Sequence, residues 1–82
     1  MNIKKYLKKM AQYLSVDKRE CASRKSCIKK VLKALNERER NLLKKLSNEK
    51  DSEQRVELTE EIKIVHRKRK KGLKALRELK KS

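Results

Sequence analysis

The chain has 82 residues, and 27 Lys and Arg against 11 Asp and Glu give it a formal net charge of +16. That length allows a single domain with a modest core, and the absence of Phe and Trp leaves the core to Leu, Ile, Val, Ala, Met, Cys and the two tyrosines Tyr6 and Tyr13. Pro is absent and Gly occurs once, while Lys, Glu, Leu and Arg abound, a long-helix composition that excludes a fold built of strands.

Charged residues make up 46% of the chain, a level at which too little apolar area remains to offset ordering entropy unless that area is periodic. It is periodic from the start. Ile3, Tyr6, Leu7, Met10, Tyr13 and Leu14 fall on one stripe of a helix, with Lys4, Lys5, Lys8 and Lys9 on the other face. This predicts a cationic amphipathic helix within residues 1–16. It should end near Ser15, because Asp17 with Glu20 three residues later reads as a capping box that starts a new helix.

The second helix is expected from about Lys18 to about Ser47. Its seam is Ile28, Val31, Leu32, Leu35, Leu42, Leu43 and Leu46, close to the seven-residue repeat of a coiled coil. Residues 23–26 are its weakest stretch, and regular helix can begin there. Residues 47–52 carry the best break in the chain, with Asn48 suited to a left-handed helix end and Asp51 with Gln54 forming a second capping box. The third helix then runs from Ser52 or Glu53 to about Lys80. Leu58, Ile62, Val65, Leu73, Leu76 and Leu79 form its seam, and Glu53, Glu57, Glu60 and Glu61 lie toward its positive end.

Two helices of about 28 residues, ~42 Å each, joined by a short break read as an antiparallel helical hairpin over residues 17–82. Folding about residue 50 sets Leu42 near Leu58, Leu35 near Val65, and Ile28 near Gly72. The expected fold class is therefore all-α: a long two-helix hairpin plus a short N-terminal amphipathic helix. So small a core also favours a homo-oligomer, two hairpins dimerising into a helical bundle.

Charge is segregated along this plan. Residues 1–35 carry a net +9, residues 36–65 a net −1, and residues 66–82 a net +8. A hairpin brings the two cationic ends together, an arrangement that repels itself and makes physical sense when a polyanion is the partner. The expected contacts to nucleic-acid phosphates are Lys25, Lys29, Lys30 and Lys33 on the second helix, with Arg67, Lys68, Lys70, Lys71 and Lys74 on the third. In the run from Arg67 to Lys71, Arg69 turns toward the seam and reaches out along it.

With Tyr6 and Tyr13 on the buried stripe, no aromatic platform is left for single strands, so duplex or structured nucleic acid is the expected ligand. No cluster of Asn, Gln and Arg suited to reading base edges is present, and specificity should be low. Three other readings compete. The cations can be a solvated charged face, the first helix can dock an acidic protein or an anionic membrane surface, and the chain can be a structural oligomer without a ligand.

Other chemistry finds little footing. On a continuous helix Cys21 and Cys27 would be ~9 Å apart along the axis and about 240° apart around it, which argues against both a shared metal and a disulfide. With the cysteines unpaired and no apolar run long enough for a signal peptide or a span, a reducing cytoplasmic compartment is expected. Neither a phosphate-cradling glycine loop nor a nucleophile–base arrangement can be assembled, so an enzyme, a metal site or a cofactor is not expected.

Overall fold

The structure, a computed structural model, describes residues 2–15 and 21–81. Three helices account for nearly all of these: α1 (Ile3–Leu14), α2 (Arg24–Asn48) and α3 (Ser52–Lys81). At ~1.5 Å per residue the 30 residues of α3 span the full 46 Å long axis of the molecule.

Each helix end has a local cause. Asn2 caps α1, its side-chain oxygen accepting from the Lys5 N–H at 3.1 Å, which satisfies one of the donors that a helix start leaves without a partner. Ser15 closes it in the left-handed conformation at φ 55°, its N–H donating to the Ala11 carbonyl. Ser23 caps α2 by accepting from the Ser26 N–H, so this helix begins within the weak stretch and not at Lys18. The capping box expected at Asp17 and Glu20 lies outside the described residues.

The α2–α3 junction departs from expectation in its details. Asn48 stays helical, and α2 ends instead at an extended Glu49. Asp51 and Gln54 do not form the expected box; the Asp51 N–H donates to the Glu49 carboxylate. The carbonyls left over at the end of α2 are taken by Arg55, whose Nη1 reaches both Leu46 O and Glu49 O at 2.9 Å. One guanidinium thus closes the preceding helix and leaves the three-residue connection 49–51 short.

Beyond the junction, α3 packs against α2. Arg55 touches Leu46, Glu61 pairs with Arg38, Arg69 pairs with Glu39, and Gly72 faces Leu32. Gly72 sits against the Leu32 side chain. Its missing side chain leaves the space that Leu32 fills.

The core is small and aliphatic, as the composition requires. Ile28, Leu35, Val65 and Ala75 are fully buried, and Val31 and Leu42 are nearly so. From α1, Tyr6 (6% exposed) and Met10 (3%) complete it, while Leu7, Tyr13, Leu14, Leu58 and Ile62 pack at its edge. The apolar face of α1 is thereby used internally. Thr59 bonds back to the Arg55 carbonyl of its own helix at 2.8 Å, as expected for a threonine inside a helix.

A further expectation is overturned. Cys21 and Cys27 form a disulfide, their Cα atoms 5.1 Å apart. The argument against it assumed one continuous helix, whereas Cys21 lies before the Ser23 cap in non-helical chain that turns back toward the first turn of α2. Because that pairing removes the free thiols, cysteine chemistry supplies no argument for a reducing compartment. Among the described residues no helix is long and apolar enough to cross a membrane.

Candidate functional site

Tyr13 organises the junction of the three helices. Its ring lies 4.7 Å from the Arg38 guanidinium carbon and 4.6 Å from the Lys68 ammonium, measured to the ring centroid, distances at which the negative face of the ring attracts a cation. Its hydroxyl donates to Glu61, which also pairs with Arg38 at 3.4 Å. Burial, with the Glu61 hydrogen bond as the second cause, pushes the Tyr13 phenol above its ordinary 10, against the opposing pull of Arg38. A second knot forms at Glu39, a mostly buried carboxylate that receives Arg69 and lies 3.6 Å from His66 Nδ1. Arg69 does turn inward, as expected, but ends on a carboxylate of α2.

Together with Lys63–Glu60, these make three ion pairs between described residues, with the His66–Glu39 contact beside them, all within positions 38–69. Acidic side chains are concentrated there, so the middle of the molecule neutralises itself. Lys25, Lys29 and Lys33 on α2 and Arg67, Lys70, Lys71, Lys74 and Arg77 on α3 form no ion pair with any described residue.

The nine expected phosphate contacts do not converge on one cleft. Lys25, Lys29, Lys30 and Lys33 line an open depression of about 420 Å³ on α2, together with Ser23 and Ser26. Arg67, Lys68 and Lys71 line a smaller one of about 190 Å³ beside Ile64 on α3. Lys71 also joins Lys74 in a third, of about 310 Å³, whose opposite wall is Asn2, Lys5, Tyr6 and Lys9 of α1. Lys70 is exposed and lines none of the three, and Lys68 is engaged with the Tyr13 ring.

Lys5 and Lys9, which share that depression, were absent from the sequence-based set of candidates. The spacing i, i+4 put them on one exposed face of α1, but nothing local to that helix says which part of α3 it faces. The missing signal is an interaction between distant residues. The Tyr6 hydroxyl donates to the Lys68 carbonyl at 2.7 Å and sits against Gly72, and burial there pushes its pKa up to about 12.

Among the described residues no three His, Cys, Asp or Glu side chains gather as a metal site. The chemistry these surfaces offer is attraction of negative charge by ammonium and guanidinium groups on rigid helices. No protein-family model, curated protein or solved structure matches this chain.

Proposed function

We propose that the protein is a small, basic helical hairpin that binds duplex or structured nucleic acid through its phosphate backbone, with low sequence specificity. In this reading residues 17–82 form the antiparallel hairpin, with its turn near 47–52, and residues 1–16 supply a docked third helix. The observation that carries it is the placement of charge: ion pairs between described residues stop at positions 38 and 69, and outside that interval Lys25, Lys29, Lys33, Lys70, Lys71 and Lys74 form none with any described residue. Held on a fold with a net charge of +16, such cations repel one another, and a polyanion relieves that repulsion while releasing its own counterions.

The candidate contacts remain Lys25, Lys29, Lys30, Lys33, Arg67, Lys68, Lys70, Lys71 and Lys74, each acting on a phosphate and none on a base edge. This is a binding module without catalysis. Self-association belongs to the same reading: four large aliphatic side chains, Leu43, Val56, Ile64 and Leu73, stand exposed around a small core, and sedimentation equilibrium reads the mass directly.

Docking of a membrane or an acidic protein through the apolar face of α1 is less favoured, because Tyr6 and Met10 would have to leave the core. The test is fluorescence anisotropy with a duplex of about 20 base pairs across a salt series. Each phosphate contact contributes a slope of about −0.9 in log K against log salt. With six or more contacts, affinity should fall by roughly 10³-fold between 50 and 200 mM salt. Undetectable binding at low salt would end this reading.

A further inference from the structure

Four lysines face one another across the groove between α1 and α3: Lys5 and Lys9 on one wall, Lys71 and Lys74 on the other. No carboxylate lines it among the described residues, and none of the four forms an ion pair with a described residue. Cations on two separate helices, held around one open groove about 310 Å³ in volume, repel each other unless an anion lies between them. The Tyr6 hydroxyl, although it borders the groove, is already committed to the Lys68 carbonyl, so the lysines dominate the recognition chemistry.

The one glycine makes room for the Tyr6 hydroxyl beside this groove. In a helix the Lys68 carbonyl accepts the N–H four residues on, that of Gly72, and its second lone pair is open to another donor. A Cβ at position 72 would lie 2.7 Å from the Tyr6 hydroxyl and 2.8 Å from Leu32 Cδ2. A side chain there would have to displace the Tyr6 hydroxyl and the Leu32 methyl, loosening the bond to the Lys68 carbonyl that ties α1 to α3.

We infer that the α1–α3 groove is the seat of a phosphodiester backbone, gripped by Lys5 and Lys9 from one side and by Lys71 and Lys74 from the other, with Gly72 and Tyr6 as the positioning residues that dock α1. This rests on the proposed nucleic-acid reading and goes beyond it by making α1 part of the interface.

The test compares wild type, Lys5→Gln/Lys9→Gln and Gly72→Ala on duplex DNA, duplex RNA and vesicles of equal parts phosphatidylserine and phosphatidylcholine. Loss of two contacts should flatten the salt slope by about 1.8 in the double variant. Gly72→Ala should flatten it similarly while helical circular dichroism is kept, since Ala is the better helix former. Flattening on both duplexes assigns the groove to the shared backbone, and flattening on one identifies which duplex it seats. A double variant with the wild-type slope on both overturns this inference and leaves the general reading standing. Wild type that binds neither duplex overturns both, and a Lys5/Lys9 effect seen on vesicles alone assigns the groove to lipid headgroups and overturns it too.

Discussion

Tyr6 shows how one hydroxyl couples burial to position. Its ring fills the core, and the O–H finds a backbone acceptor instead of being left without one, which would cost about 1–3 kcal/mol. Burial pushes the phenol up to about 12, so the folded state holds this proton more tightly than the unfolded chain, which releases it near 10. The stability gained is fully present below pH 10 and is lost as pH rises toward 12. In a Tyr13→Phe variant, where Tyr6 is the remaining phenol, ultraviolet titration of tyrosinate should give a midpoint well above 10 in the native protein. In denaturant it should return to about 10. A native midpoint at 10 would mean that Tyr6 is not buried against α3.

At the scale of elements, much of the architecture was legible because apolar spacing is a strong signal in a chain so polar. The stripe from Ile3 to Leu14 marked α1, and the Leu35 and Val65 positions marked the buried seam of α2 and α3. Helix ends were less legible, since a side chain from the next helix can supply what a local cap would. Asn48 had suitable chemistry to end α2, but the Arg55 guanidinium takes the Leu46 and Glu49 carbonyls there. The disulfide was misread because its geometry depends on whether Cys21 is helical, and the Ser23 cap decides that. By closing a loop of about seven residues, the bridge should contribute roughly 2 kcal/mol through restriction of the unfolded chain. Thermal unfolding with and without a thiol reductant checks this. Reduction, or Cys21→Ser with Cys27→Ser, should lower the midpoint by roughly 10 °C, and an unchanged midpoint would show that the bridge does not constrain the start of α2.

Across the whole molecule the candidate site was legible in outline and not in detail. Segment charge located the cationic ends, yet grouping nine lysines and arginines by sequence could not show that eight of them divide among three depressions, or that α1 supplies a wall to one. Side-chain neighbours between distant helices depend on the rotation of each helix about its axis, which Gly72 and Tyr6 settle here. The neutral middle makes a sharp comparison possible. It carries cations of its own, among them Arg40, Lys44 and Lys45, but these lie in a segment whose net charge is −1.

Placement of charge, rather than its total, is therefore the claim to test. Two triple variants lose the same three charges: Lys29→Gln, Lys33→Gln and Lys74→Gln at the ends, and Arg40→Gln, Lys44→Gln and Lys45→Gln in the middle. The measurement is the salt slope of duplex binding for each. The end variant should lose about 2.7 from the slope, three contacts at about 0.9 each, while the middle variant keeps the wild-type value. Equal losses in the two would contradict the account, because net charge alone would then explain the binding.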